Sequence, residues 1–360
     1  MLNNLLAILI FGSTILLGIL LIINPLKVNK KANIWFGTLF LLWSTFWFEE
    51  ILFMVNNEAI ITGPILILKS VQYLSPLIFY LCVEYYTNPD YKIWNKTALY
   101  LVFPFIALVL AEYTLANHLK VIKVTFLLIY CFICILLSLL LLKRHKRHIR
   151  KFASNTAGIN LNWLEFIIWF VLFLIVIVGI YNLTYFDAPL NVYMNVFIYI
   201  IIILTAYYSL KQKEIYPLDA SERTDVLSVV YEEEHGIVQN KLIPDERLDE
   251  LKSRLNDLIS KEELFLDSDL SLGKLARYMN ISPHHLSYVI NNGFNLNFYS
   301  YINTFRVEKA KNLLVNRELD RYSLIGIAYE SGFNSKTSFN TMFKKLTGQT
   351  PSQFKKTRSG

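Results

Sequence analysis

The chain has 360 residues, of which 54% are hydrophobic and 15% aromatic, and its formal net charge is +7. That length suggests about two or three domains, and the apolar fraction exceeds ordinary globular usage. The cysteines Cys82, Cys131 and Cys134 all lie in apolar stretches, which excludes a disulfide-stabilised scaffold. Basic residues outnumber acidic ones in residues 1–210 and 264–360, whereas acidic residues prevail in 211–263.

Long apolar runs dominate the first part of the chain. A run of about 20 apolar residues can cross a lipid bilayer as an α-helix. The first run is uncharged from Met1 to Leu26 and lacks a basic start and a small-residue cleavage site, so we interpret it as a retained helix rather than a signal peptide. The sequence predicts a bundle of about seven transmembrane helices in residues 1–210, at 2–24, 32–54, 64–86, 97–116, 122–142, 163–185 and 189–210.

Basic residues between the runs predict the orientation, because cytoplasmic loops are enriched in Lys and Arg. The N-terminus and the loops after even-numbered runs offer only Lys120 and Lys123. We therefore predict a multi-pass protein of the cytoplasmic (inner) membrane, with its N-terminus outside and its C-terminus in the cytoplasm. The dense basic run at 143–151 is interpreted as an orientation-setting loop, with binding to nucleic acid or anionic lipid as the alternative. The loops after odd-numbered runs carry Lys27, Lys30, Lys31, Lys92, Lys96, Lys143, Arg144, Lys146, Arg147, Arg150, Lys151, Lys211 and Lys213.

Charged residues interrupt several runs, and charges inside a membrane are costly enough to suggest a function. With the predicted orientation, Glu49, Glu50, Lys69 and Glu112 lie near the outer ends of their runs. They predict a sensing pocket for an extracytoplasmic polar or cationic ligand. The alternative is that these residues pair with one another or lie at the membrane surface.

Signatures of catalysis are absent from the sequence. There is no HExxH pair, no glycine-rich phosphate loop ending in GK[ST] and no GxSxG turn, and residues after 210 are too few for a histidine-kinase core. His145 and His148 are close in sequence but have no Cys or carboxylate partner nearby. We therefore predict no catalytic residues, no metal site and no cofactor, and we do not expect an enzyme.

An acidic connector is predicted over residues 211–262. Its first part, through residue 244, is polar and contains the acidic run 232–234, as is typical of a solvated segment. Leucines then recur at three- and four-residue spacing, which predicts an amphipathic helix near 245–261. That helix either caps the module that follows or forms a short dimer contact.

Residues 263–357 begin with two short helices separated by a turn. Ser271 and Ser282 are placed to cap these helices, Pro283 suits a first helical position, and Asn280 tolerates the left-handed backbone of a turn. Helix, short turn and helix form the helix-turn-helix arrangement. A long helix is predicted next, over about 297–315.

A second pair of helices repeats this layout. Ser323 and Ser335 are the capping residues, Gly332 allows the turn, and Pro351 begins a last helix. The second helix of the pair is predicted to bury Phe339, Phe343 and Leu346.

The stretch IAYESGFNSKTSFNTMFKKLTGQTPSQF, residues 327–354, has Ile-Ala, Gly-Phe, Ser, Phe, Phe-Lys, Gly and Thr-Pro at spacings that resemble the signature of AraC-type DNA-binding domains. The resemblance covers about 264–357, and seven membrane helices followed by this domain resemble the membrane-bound AraC-type regulators of Bacteroidetes-like bacteria. It implies an all-α chain in which the second helix of each helix-turn-helix unit lies in the major groove of double-stranded DNA.

Helical spacing then selects the outward residues of each reader helix. Polar side chains early in these helices are expected to face base edges, and Lys344 and Lys345 to meet phosphates. The first reader helix has no Lys or Arg, which favours binding as a homodimer. Its predicted contacts are His284, His285, Ser287, Tyr288 and Asn291, and those of the second are Lys336, Thr337, Asn340, Thr341, Lys344 and Lys345.

The leading hypothesis is a one-component transcriptional regulator in a lipid bilayer, which senses an unknown signal and binds promoter DNA. The alternative is a transporter or channel with a regulatory DNA-binding tail, although we find no internal repeat among the spans. A passive membrane anchor for DNA is a third possibility, and it leaves the outer charges without a role.

Overall fold

The computed structural model describes residues 2–56, 63–114, 120–184, 192–217, 223–224, 226–229, 242–315 and 323–359. Within these ranges the chain is helical and has no strand beyond one isolated bridge between Ala153 and Ser271, which confirms the predicted all-α class. The chain divides into two compact units, Met1–Arg144 with Leu161–Ile215 and His145–Asn160 with Tyr216–Gly360.

The first unit is built from long apolar helices. Among the described residues, α1, α5, α6, α7 and α8 are long and apolar enough to cross a membrane. The predicted run 64–86 forms two helices, α3 and α4, bent by 42°, which together make a sixth candidate span. The helices are α1 (Leu2–Ile23), α2 (Lys30–Asn56), α3 (Gly63–Gln72), α4 (Ser75–Thr87), α5 (Lys96–Thr114), α6 (Lys120–Phe152), α7 (Asn162–Thr184) and α8 (Val192–Lys211).

The candidate spans differ from the predicted seven runs at α2 and at the bend between α3 and α4. The predicted run 32–54 forms the helix α2, which is not among the candidates found in the described part of the chain. The break between α3 and α4 falls just before Pro76, whose ring nitrogen cannot donate the hydrogen bond that would continue α3.

Helices α1 and α2 approach each other closely at a pair of glycines. A Cβ atom added to Gly37 would lie 2.6 Å from the carbonyl oxygen of Gly18, and one added to Gly18 would lie 2.8 Å from Leu41 Cγ. Small residues allow this kind of backbone approach in membrane helix pairs, where van der Waals packing replaces the hydrophobic effect. The glycines therefore fix which faces of α1 and α2 meet.

The second unit contains the short helices predicted at the C-terminus. Leu251, Leu255 and Ile259 of α9 are buried, which supports its interpretation as a helix that caps the module. A single 3₁₀ turn, Leu264–Leu266, follows it. The helices are α9 (Asp245–Lys261), α10 (Leu272–Met279), α11 (Pro283–Phe294), α12 (Phe298–Val315), α13 (Leu324–Glu330), α14 (Lys336–Thr347) and α15 (Pro351–Ser359).

Candidate nucleic-acid interface

The first helix pair, α10 and α11, is held by the capping residues that the sequence predicts. Ser271 Oγ accepts the backbone N–H of Lys274 at 3.2 Å, and Ser282 Oγ accepts that of His285 at 3.2 Å. Asn280 adopts a left-handed backbone with φ 51°, as the turn requires. These bonds satisfy N–H groups that a helix leaves unpaired at its start, so they fix where α11 begins.

The second pair, α13 and α14, has the same local chemistry. Ser323 Oγ accepts the N–H of Gly326 at 3.0 Å, and Ser335 Oγ accepts that of Ser338 at 3.1 Å. The predicted caps are therefore confirmed in both pairs. After α14, the N–H of Thr350 donates to Gln353 Oε1 at 2.9 Å and Thr350 Oγ1 accepts the N–H of Gln353 at 3.3 Å, a reciprocal capping box that starts α15.

Gly332 forms the turn of the second pair and comes close to the 3₁₀ turn Leu264–Leu266. Its φ of +85° lies in the left-handed region, as predicted. A Cβ atom at this position would lie 2.5 Å from the carbonyl oxygen of Phe265 and 2.9 Å from Leu266 Cα. Backbone atoms cannot move aside as a flexible side chain can, so a residue without Cβ is required for both reasons.

The outer face of α14 carries most of the predicted second-reader residues. Phe339, Met342 and Phe343 anchor its inner face. The prediction that Leu346 is buried is wrong: its side chain is 43% exposed, and Met342 fills the core from the preceding turn instead. Asn340 is half-buried, and the exposed predicted residues are Lys336, Thr337, Thr341, Lys344 and Lys345.

The first reader helix presents a narrower polar surface than predicted. Ser287 is only 7% exposed, so its predicted outward position is wrong. Because α11 contacts α9, α10 and α12, its buried arc is wider than helical spacing alone suggests. Asn291 Nδ2 donates to Ser287 Oγ at 3.3 Å. His285 is exposed, and His284, Tyr288 and Asn291 are half-buried.

A buried arginine of the long helix α12 lies between the two pairs. Arg306 is 1% exposed. Its Nε donates to the Phe265 carbonyl at 2.7 Å and its Nη2 to the Asp267 carbonyl at 2.8 Å. Its guanidinium also lies 5.9 Å from the ring centre of Phe333, next to the second turn. Two further bonds go to Ser154, so Arg306 ties α12 to the turn before α10 and to Ser154.

The charge of Arg306 is retained despite its burial. Desolvation lowers the pKa of Arg306 to about 10, and the carboxylate of Asp267 partly opposes this shift. The side chain is therefore protonated at neutral pH, and its donors are satisfied by carbonyl and hydroxyl oxygens. Buried cations persist in proteins only with such compensation.

Sequence reasoning missed Arg306 because its neighbours Phe305 and Val307 made the long helix look simply apolar. A signal was present: Ile302, Arg306 and Ala310 are spaced four apart, so a charge lies on the stripe that faces the core. Ile302 and Ala310 are indeed fully buried. A charged residue on such a stripe predicts a polar network beneath it.

The residues proposed for sensing fall into two polar groups of the first unit. Glu112 Oε2 accepts Tyr73 Oη at 2.8 Å and Lys123 Nζ at 3.1 Å, and Lys69 adds a favourable charge interaction. The ion pair of Glu112 is thus formed with Lys123, which is not one of the four predicted charges.

The other group contains Glu50. Glu50 Oε1 accepts Asn3 Nδ2 at 3.3 Å. Asn195 Nδ2 donates to Asn3 Oδ1 at 2.9 Å, and Trp47 Nε1 donates to Asn195 Oδ1 at 3.3 Å. The group connects α1, α2 and α8, while the side chain of Glu49 lies outside the part that the structure describes.

Comparisons with known proteins match the C-terminal part of the chain. An uncharacterized HTH-type transcriptional regulator of Staphylococcus aureus (strain COL) is 34% identical over 102 residues, which are 28% of this chain and 13% of the relative. Another, in the cgkA 5' region of Pseudoalteromonas carrageenovora, is 31% identical over 108 residues, 29% of this chain and 62% of the relative. This chain thus spans less than two thirds of these relatives. No solved structure matches. Residues 275–357 match the family described as "Helix-turn-helix domain", so the C-terminal part of this chain is a helix-turn-helix domain.

Proposed function

We propose that this chain is a membrane-bound transcriptional regulator that binds promoter DNA through α11 and α14. The observation that carries the proposal is the outer face of α14, where polar and basic side chains stand on a helix whose start is fixed by Ser335 and whose inner face is anchored in the core. The C-terminal match to a helix-turn-helix domain and the names of the relatives support it.

Roles within α14 follow from position along the helix. Lys336, Thr337, Asn340 and Thr341 lie in its first half and are assigned to base edges in the major groove. Lys344 and Lys345 lie in its last turn and are assigned to phosphates. In α11, His284, His285, Tyr288 and Asn291 have the corresponding role. Because α11 supplies no Lys or Arg, we propose that two copies bind together.

We expect Lys336→Ala and Asn340→Ala each to weaken specific DNA binding by about 1–3 kcal/mol, because a good base contact is worth that much. The measurement is the affinity of the full chain in lipid nanodiscs for a fragment selected from genomic DNA. Lys344→Ala should instead lower the slope of log affinity against log salt by about one.

Lys261→Ala is the matched control, because this exposed lysine ends α9 outside both reader helices. Its effect on affinity should be small. Wild-type affinity in both Lys336→Ala and Asn340→Ala would contradict the assignment of α14 as the base reader.

The membrane part is proposed to act as the sensor. Its support is the set of candidate spans together with the two polar groups around Glu50 and Glu112. Breaking the Glu112 group with Glu112→Gln is expected to change the transcripts that also change when the gene is deleted. Unaltered transcripts would favour a passive anchor, and no observation favours a transporter.

A further inference from the structure

Residues 145–160 fold with the second unit, and they include most of the basic run 143–151 that the sequence analysis interprets as an orientation-setting loop. They comprise the end of α6 and the connection from α6 to α7, both candidate spans, yet they belong to the same compact unit as α9–α15. Helix α6 is continuous from Lys120 to Phe152, so the helix of a candidate span ends inside the second unit. This segment is therefore a covalent link between the proposed sensor and the proposed DNA-binding part.

Ser154 is a buried residue of this segment that forms several hydrogen bonds. It is 1% exposed. Its carbonyl accepts Arg306 Nη1 at 3.0 Å and Asn303 Nδ2 at 3.0 Å. Its Oγ accepts Arg306 Nη2 at 2.9 Å and donates to the Leu270 carbonyl at 2.7 Å, while its N–H donates to the same carbonyl at 3.2 Å. All polar groups of Ser154 thus bond to the helix-turn-helix part.

Residues that precede Ser154 extend this contact. Ala153 pairs with Ser271 in an antiparallel bridge, and Ser271 is the capping residue of α10. The guanidinium of Arg150 lies 5.7 Å from the ring centre of Tyr299, at the start of α12. The segment therefore contacts the beginning of the first helix pair and the long helix that joins both pairs.

We propose that residues 152–155, which we name the docking segment, are the connection through which the membrane helices control DNA binding, and that the docked arrangement is the DNA-binding state. This inference rests on the proposed function. Ser154 accepts two of the four hydrogen bonds of Arg306, and Arg306 also holds the turn before α10. Undocking leaves this buried cation and Asn303 short of partners, which is costly in a dry interior.

Undocking is expected to make the spacing between the reader helices α11 and α14 more variable. Binding two major-groove segments at once requires a fixed spacing between α11 and α14. That spacing depends on α12 and on the turn at 265–270, both of which the docking segment contacts. A displacement of α6 reaches this contact directly, since a helix transmits motion along its axis as a rigid element.

Disulfide trapping tests the docked arrangement without reference to DNA. Residues opposed in an antiparallel bridge have Cα atoms about 4.5–5.5 Å apart, within the range that a disulfide spans. In the full chain in isolated membranes, Ala153→Cys with Ser271→Cys should crosslink on oxidation, whereas either change alone should not. A protease site inserted within 231–241 allows detection, because only the crosslinked chain keeps its two fragments together on a non-reducing gel.

The DNA-binding consequence is tested in the same full chain in nanodiscs. Ser154→Trp cannot fit a site that is 1% exposed and should weaken DNA binding at least about tenfold. Ala157→Trp, at an exposed position just after the docking segment, should not weaken DNA binding. The oxidised Ala153→Cys, Ser271→Cys chain should bind DNA at least as tightly as its reduced form.

The outcomes separate the docking inference from the proposed function. No crosslink in a chain that binds DNA would overturn docking, and so would a Ser154→Trp variant with wild-type DNA affinity. If the double-cysteine chain crosslinks but the wild-type chain binds no DNA, docking stands and the proposed function is overturned. Crosslinking of the double-cysteine chain, together with weaker DNA binding in Ser154→Trp but not in Ala157→Trp, would support both docking and the proposed function.

Discussion

Replacing Arg306 with methionine is expected to lower the stability of the helix-turn-helix part by about 3–5 kcal/mol, because it leaves buried carbonyl groups without donors. The carbonyls of Phe265 and Asp267 would each lose a donor, and so would the carbonyl and the Oγ of Ser154. Methionine retains most of the side-chain length, so the loss is of hydrogen bonding rather than of packing volume. Lysine at this position keeps the charge but lacks the planar fork of donors, so we expect an intermediate loss.

Hydrogen exchange of the full chain in nanodiscs measures this effect locally. Amides of α12 and of the turn at 265–270 should exchange more than about a hundredfold faster in Arg306→Met, because each 1.4 kcal/mol of opening free energy is a factor of ten. Arg254→Met is the matched control, since Arg254 is exposed on α9. Equal exchange in the two variants would show that Arg306 does not hold the helix pairs together.

Replacing Gly332 with alanine is expected to be the most damaging single change in the second turn. Alanine at φ +85° carries a left-handed backbone strain of about 1–2 kcal/mol. Its Cβ would also lie 2.5 Å from the Phe265 carbonyl oxygen, a contact that requires the backbone to move. We therefore expect a total loss of about 3 kcal/mol or more and weaker DNA binding, because the turn positions α14.

Gly348 provides a control that separates the two causes. Its φ of +76° is similar, but no atom lies within 4 Å of the position a Cβ would occupy. Gly348→Ala should therefore lose only the backbone term, about 1–2 kcal/mol. Thermal unfolding followed by near-ultraviolet circular dichroism compares the two variants, and equal losses would contradict the close approach at Gly332.

The local chemistry of the C-terminal part could be predicted from the sequence because its signals are short-range. Ser271, Ser282, Ser323 and Ser335 each precede a helix, and a cap acts within three residues of itself. The turn at Gly332 could be predicted in the same way, because a positive φ is a local property of the backbone. These positions therefore fixed the helix starts before any tertiary contact was considered.

Burial around the reader helices was harder to predict because it depends on distant neighbours. Ser287 lies on the outward side of α11 by spacing but is covered because α11 contacts three other helices. Leu346 looked like a core residue, yet it lies past the end of the aromatic core of α14. Neither outcome is encoded in the periodicity of a single helix.

The partnership of Ser154 with Arg306 was out of reach for a related reason. The two residues are 152 positions apart in the sequence. Ser154 follows a basic run that is already explained as an orientation signal. The position of Arg306 on the buried stripe of α12 predicts that its guanidinium requires hydrogen-bond acceptors. It does not predict which residues supply them.

Footprinting on the full chain in nanodiscs at physiological salt tests most directly whether the chain reads a specific DNA sequence from a membrane. The predicted result is two protected major-groove segments on one face of the DNA, about one helical turn apart for each copy bound. Protection of the segment assigned to α14 should be lost in Lys336→Ala with Asn340→Ala. Uniform protection along the fragment, or a footprint that survives those two changes, would contradict the account.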